Sequence, residues 1–130
     1  MTVTVVDASA IAAVLFDEPE AAPVLAGVTG ALIAPGLLRY ELASICATKL
    51  AREPQRAKVI LARYGLVAHL AVDYADPDWE SLPLLARQWE ISAYDAAYLQ
   101  LALAQKAPLV TLDSRLAKAY DRAAVRSGLS

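Results

Sequence analysis

The sequence predicts an α/β protein in which helices form layers on both faces of a central parallel sheet of four to five strands. Three observations lead there. Short runs rich in β-branched and apolar residues (3–6, 31–34, 66–72 and 108–112) alternate with longer helical patterns. No Asn-Gly or Asp-Gly pair joins two such runs, so tight hairpins are not expected. The first and last runs each stop at a carboxylate, Asp7 and Asp113, with helical sequence immediately after. In an open parallel sheet, ligands bind in the crevice beyond the carboxyl ends of the strands.

Taken in order, Val3-Thr4-Val5-Val6 reads as a short buried strand, and the alanine-rich segment 8–15 as a helix. Asp17-Glu18-Pro19-Glu20 is a turn that opens a second helix over 20–26. A short strand at 31–34 ends at Pro35-Gly36. A long amphipathic helix is expected over 37–52, with Leu38, Leu42, Ile45 and Leu50 on or near one face. Glu53-Pro54 breaks it, and 55–64 makes a further helix. The apolar stretch 66–72 is the next strand candidate, followed by a loop at 73–77. Helices are expected over 78–89 and from Ser92 to about 106. The strand at 108–112 and a terminal helix from Asp113, fading by Gly128, complete the chain.

Residues 1–130 are expected to form one domain, since 130 residues can bury a substantial core and no linker or internal repeat is visible. A hydrophobic fraction of 58% against 20% charged residues argues against disorder. The net charge of −2 gives no global nucleic-acid signal, although a local patch can bind phosphates within an acidic protein. A single cysteine, Cys46, excludes an internal disulfide and fits a reducing compartment; its apolar helical setting suits a small buried side chain. The first apolar run lacks a positively charged lead and is interrupted by Asp7, unlike a signal peptide. The uncharged stretch 21–38 is cut by Pro23, Gly27, Gly30, Pro35 and Gly36, so it is not expected to span a bilayer. A soluble cytoplasmic protein is the expectation.

The acids Asp7, Glu41, Asp95 and Asp113 stand out by position. Asp7 and Asp113 are good N-cap residues, and Asp95, three positions after Ser92, matches a capping box. Capping alone would explain each of these three. Glu41 resists that account, because helical spacing sets it beside Leu38, Leu42 and Ile45, where a charge is costly unless paired or bound to a metal. If all four acids meet at the sheet edge, their repulsion favours protonation or a cation. Oxygen ligands with no His or Cys cluster select Mg²⁺ or Mn²⁺ over zinc. A carboxylate-held divalent ion suits phosphodiester hydrolysis, since it acidifies water and stabilises charge on the attacking and leaving oxygens.

At these residues the sequence resembles the PIN-domain ribonucleases, and within them the VapC-like toxins of bacterial toxin–antitoxin pairs. The matching segments are Val5-Val6-Asp7-Ala8-Ser9-Ala10, Glu41-Leu42-Ala43, Tyr94-Asp95-Ala96-Ala97-Tyr98-Leu99 and Leu109-Val110-Thr111-Leu112-Asp113. Their order and spacing cover residues 3–119. The resemblance implies a PIN-like three-layer fold and a Mg²⁺- or Mn²⁺-dependent endoribonuclease, dimeric and inhibited by a small cognate antitoxin. It implies that Asp7, Glu41, Asp95 and Asp113 are the catalytic, metal-binding quartet, with Ser9 and Thr111 as hydroxyl donors behind the first and last acids. Two departures matter. Ser44 stands where many relatives have Asn, changing local hydrogen bonding. Ser114, Arg115 and Leu116 stand where some relatives carry another acid, a ligand that a second metal would use.

Other candidates are weaker. His69 is the only histidine and lacks a Gly-x-Ser-x-Gly elbow, so a structural or surface role is expected. Walker A and Gly-x-Gly-x-x-Gly motifs are absent. Basic residues collect at Lys49, Arg52, Arg56, Lys58 and Arg63 and again at Arg115, Lys118, Arg122 and Arg126. Most are expected on solvated helix faces, with Arg115 the candidate RNA-phosphate contact because it follows Asp113 by two residues. Tyr94 and Tyr98 are expected to pack on the sheet rather than stack on bases, and Trp79, Trp89, Leu82 and Leu85 to form core or a dimer face. Two other classes compete with the nuclease reading: a catalytically inactive protein-binding module of the same fold, and a carboxylate–metal phosphohydrolase acting on small phosphate esters. The Asp-x-Asp nucleophile signature of one such phosphohydrolase group is missing, with Ser9 in the second position.

Overall fold

The computed structural model describes residues 2–129. Four strands, β1 (Val3–Val6), β2 (Ala31–Ala34), β3 (Val72–Tyr74) and β4 (Leu109–Val110), form one sheet in the order β3-β2-β1-β4. Every pairing is parallel, with Val3 opposite Ala31, Val5 opposite Leu109 and Leu32 opposite Val72. All carboxyl ends therefore share one edge. The chain steps outward from β1 to β2 and β3, then crosses back to place β4 on the other side of β1. The order reverses between β1 and β4, and that switch point is where a crevice opens in such sheets.

Seven helices flank the sheet: α1 (Ala8–Leu15), α2 (Ala21–Gly27), α3 (Leu37–Arg52), α4 (Ala57–Tyr64), α5 (Leu82–Trp89), α6 (Ala93–Gln105) and α7 (Ser114–Arg126). Their packing divides them into two groups, with α1 against α2 and α3, α3 against α4, α5 against α6, and α6 against α7. Right-handed crossovers running in opposite directions put the two groups on opposite faces, giving the three layers. The α/β fold with a parallel sheet is as the sequence predicts, at the lower of the two strand counts.

The core follows from residue pattern. Val5 and Val6 have no exposed surface, as central parallel strands covered on both faces require. Helix α3 buries Leu38, Leu42 and Cys46, one stripe at four-residue spacing, with Ile45 and Leu50 half-buried beside it. Helix α6 buries Ala96, Ala97, Tyr98, Leu99, Leu101 and Ala102, more than one face, because it lies on β1 between α5 and α7. No helix among the described residues is long and apolar enough to cross a membrane.

Two strands and two helices differ from the sequence expectation. The stretch 66–72 is a 3₁₀ turn over Gly65–His69, and the strand begins only at Val72, running through Asp73 and Tyr74 into the expected loop. β3 is an edge strand with Asp73 and Tyr74 exposed, so it lacks the apolar run of a buried strand; Val67 and Leu70 pack against the core from outside it. β4 spans two residues where five are expected, because β1 ends at Val6, the partner of Val110, and offers no further ladder. The helices expected over 55–64 and 78–89 open with 3₁₀ turns at Pro54–Arg56 and Trp79–Ser81, both next to a proline or a capping aspartate. Trp79 is 73% exposed and is no part of the core, whereas Trp89, Leu82 and Leu85 pack at its margin.

The start of the sheet depends on close approach. Thr4, fully buried, donates its hydroxyl to the Thr29 carbonyl at 2.7 Å and accepts the Thr29 N–H at 3.0 Å. Next to it Gly30 adopts φ 71°, and a Cβ there would stand 2.1 Å from the Thr2 carbonyl oxygen. Gly30→Ala should therefore destabilise the protein by more than about 1 kcal/mol, read as a lower urea midpoint at unchanged slope.

Candidate carboxylate active site

Asp7 ends β1 and caps α1, and it is 5% exposed. Its Oδ1 accepts the Ala10 N–H at 3.0 Å and the Ser9 hydroxyl at 2.7 Å, while Oδ2 accepts the Thr111 hydroxyl. Each hydroxyl also accepts an amide from the turn after β4: Leu112 N–H donates to Ser9 Oγ at 2.9 Å and Asp113 N–H to Thr111 Oγ1 at 3.0 Å. Both hydroxyl protons are thus committed to Asp7, and both oxygens hold the 111–113 turn. Ser9 and Thr111 tie the two strand ends at the switch point to one carboxylate.

Asp113 caps α7, its Oδ1 accepting Arg115 N–H at 2.9 Å and Leu116 N–H at 3.2 Å. Asp95 lies in the first turn of α6, and its N–H donates to Ser92 Oγ at 3.0 Å. The reciprocal capping-box bond, from Ser92 N–H to the Asp95 carboxylate, is not formed among the described residues. Glu41 reaches from the first turns of α3, where Oε1 accepts the Tyr98 hydroxyl at 2.6 Å. That bond links α3 on one face of the sheet to α6 on the other.

All four carboxylates line one open cavity of about 290 Å³, together with Ser44, Ile45 and Tyr98. Burial pushes Asp7 above the usual carboxylate range, against the Thr111, Ser9 and Ala10 bonds, and Asp113 adds to the rise. Burial likewise raises Glu41, opposed by Tyr98 and reinforced by Asp95 and Asp7. Asp95 is raised by burial and then by Asp113 and Asp7, with Ser92 and Arg115 pulling it back. Asp7, Glu41 and Asp95 are each raised, after burial, by at least one other acid of the quartet.

As the side chains stand, no three His, Cys, Asp or Glu groups among the described residues are gathered tightly enough to chelate a single ion. An all-oxygen set with excess negative charge nevertheless suits Mg²⁺, which is usually held by one or two carboxylates and retains several waters.

Tyr98 packs in the core as the sequence predicts, and what sequence reasoning missed is that its hydroxyl reaches the cavity and donates to Glu41. It is 1% exposed, and burial followed by Glu41 raises its phenol far above the ordinary range, so it remains a proton donor to Glu41. Its position one helical turn after Asp95, on the same helix face, is the signal that could have found it. Arg115 is exposed beside the cavity rather than lining it, close enough to stabilise ionised Asp95. Tyr94 is 66% exposed and does not pack on the sheet. His69 is exposed and Cys46 buried.

A carboxyl group that is harder to ionise folded than unfolded binds more protons in the native state, so stability falls as pH rises through its titration range. Without divalent ions, stability should decline as pH climbs above about 4.5, the ordinary glutamate value from which Glu41 is raised. Glu41→Gln, which keeps an oxygen for Tyr98, should flatten that decline and raise the melting temperature in EDTA at pH 7, measured by thermal unfolding from pH 4 to 8.

The PIN domain family model matches residues 4–122. The crystal structure of PAE2754 from Pyrobaculum aerophilum superposes with a TM-score of 0.59 at 20% sequence identity, covering 99% of this chain and 91% of that one, a likeness of fold. The comparison with curated proteins gives no match. With the sequence segments, the parallel sheet and the residues at its carboxyl edge in agreement, the chain belongs to the PIN domain family, whose members are typically nucleases.

Proposed function

We propose that this chain is a single-domain endoribonuclease that hydrolyses RNA phosphodiester bonds with a divalent metal ion, Mg²⁺ or in its place Mn²⁺. The observation that carries the reading is the convergence of Asp7, Glu41, Asp95 and Asp113 on one cavity, with Asp7, Glu41 and Asp95 raised first by burial and then by other acids of the set. These four would hold the ion, directly or through water. When bound, the ion supplies acidified water and offsets charge on the phosphodiester. Ser9 and Thr111 hold both oxygens of Asp7 in one orientation, and Tyr98 holds one oxygen of Glu41. Such supporting bonds are worth about 10–100-fold in metal affinity or activity. Arg115, exposed next to Asp95 and Asp113, is suited to an RNA phosphate.

The same reading extends to a cytoplasmic VapC-like toxin, neutralised by a small cognate antitoxin and acting as a homodimer. An apolar groove of about 400 Å³, lined by Leu37, Tyr40, Pro77, Trp79, Leu82 and Tyr94, supports a second copy as its occupant. Tyr40, Trp79 and Tyr94 are 79%, 73% and 66% exposed in the single chain. A contiguous apolar surface of this kind marks an interface more often than bare solvent contact.

Purified protein should cleave single-stranded RNA with Mg²⁺, stop with EDTA and recover with Mn²⁺. Asp7→Asn and Asp95→Asn should lose about 100-fold or more of the rate, and Tyr98→Phe about 10-fold or more, all with native far-UV circular dichroism. Full activity in either aspartate variant sinks the mechanism; cleavage of a chromogenic phosphate in preference to RNA would favour the small-ester reading instead. Light scattering behind size exclusion should give a dimer mass for the wild type and a monomer for Trp79→Asp.

A further inference from the structure

A second feature lies outside the carboxylate cavity. Helix α7 carries Arg115, Lys118, Arg122 and Arg126, all exposed, and at about 100° per residue the four fall within about 80° of arc. They form one stripe about 16 Å long, running down the helix from the turn that Asp113 caps. The adjoining face buries Leu116, Ala119, Ala123 and Ala124, so packing fixes which way the stripe points.

None of the four forms an ion pair with an acid among the described residues, whereas Lys49 on α3, Arg56 in the 3₁₀ turn before α4 and Arg63 on α4 each do. Trp89 holds the far end in place, with the Arg126 guanidinium 5.6 Å from its ring centroid. Arg115, Lys118 and Arg122 line a cavity of about 280 Å³ beside Trp89 and Glu90, with Glu90 the one acid in it. Asp121 lies outside the arc on the same helix. Unpaired cations held in a row are unusual in a chain of net charge −2.

We propose that the α7 stripe of Arg115, Lys118, Arg122 and Arg126 is a track for the phosphodiester backbone of single-stranded RNA, leading the strand to the carboxylate cavity. The proposal rests on the nuclease reading for its substrate and adds where the flanking strand lies. An extended polyanion matches a linear stripe of point charges, and continuity with Asp113 means that a strand on the track enters the site at one end. An acidic peptide is the competing occupant, but nothing would then need the row to begin at the reaction centre.

The test is binding of a fluorescent single-stranded RNA dodecamer to the full chain in EDTA, by anisotropy, from 50 to 200 mM KCl. Four phosphate contacts predict a slope of log K against log [salt] of about −2.8, and Lys118→Ala/Arg122→Ala should bring it to about −1.4 and weaken binding at low salt by about tenfold. A control double variant, Arg52→Ala/Lys58→Ala, removes the same charge elsewhere and should leave the slope unchanged. An equal slope in the α7 double variant and wild type, or no RNA binding by the wild type, overturns the track. So does oligo-glutamate of equal charge displacing the RNA at equimolar concentration. If RNA binds with the expected slopes yet is not cleaved when Mg²⁺ is added, the track stands and the nuclease reading falls; cleavage with unaltered slopes gives the reverse.

Discussion

The organisation of the molecule depends on one buried carboxylate. Asp7 sits where the central strand stops, shut away from water, and a charge there is tolerable only if its oxygens are met by donors. Those donors come from the next turn of the chain, Ser9 and Ala10, and from Thr111, about a hundred positions away in sequence. Satisfying Asp7 therefore closes the sheet edge between β1 and β4 at the same time. The two-residue length of β4 belongs to the same arrangement: the chain leaves the ladder at Val110 so that Thr111 and the amides after it can turn toward Asp7 and Ser9.

Around that anchor the fold gathers groups that repel each other. Glu41 arrives from one helical layer and Asp95 from the other, and Tyr98, on the helix of Asp95, donates its hydroxyl to Glu41. Three of the four acids are raised by burial and by one another, which is the mark of a site whose geometry is held by the scaffold against local electrostatics. Stability and function are opposed here: the packing of α3 and α6 on the sheet supplies what proximity of the carboxylates costs. The basic stripe of α7 lies just outside, where its charge opposes that of the cavity, and Arg115 at its head favours ionised Asp95.

Capping a helix and lining the cavity are not alternatives in this architecture. Asp7 and Asp113 each cap a helix with one oxygen, so a residue that reads locally as an N-cap can present its remaining lone pairs to a cavity. Asp95 differs, since its capping box is only half formed and its carboxylate is left to the site. Glu41 has no capping role, and its place beside an apolar stripe is the sharpest local conflict in the sequence that points beyond structure, Asp95 showing a milder one.

The sequence by itself determined the alternation of strands and helices, the parallel sheet and the positions of the four acids, because each rests on short-range periodicity, capping chemistry or the matching segments. It misplaced β3 and overextended β4, since an edge strand is defined by its partner rather than by its own hydrophobicity. Only the tertiary structure decided that the buried Tyr98 gives its hydroxyl to Glu41, that Ser9 and Thr111 share Asp7, that Trp79 is exposed, and that the cations of α7 form no ion pair among the described residues. Those outcomes depend on which elements are brought together across the sheet edge, through contacts between residues tens of positions apart that no local pattern encodes.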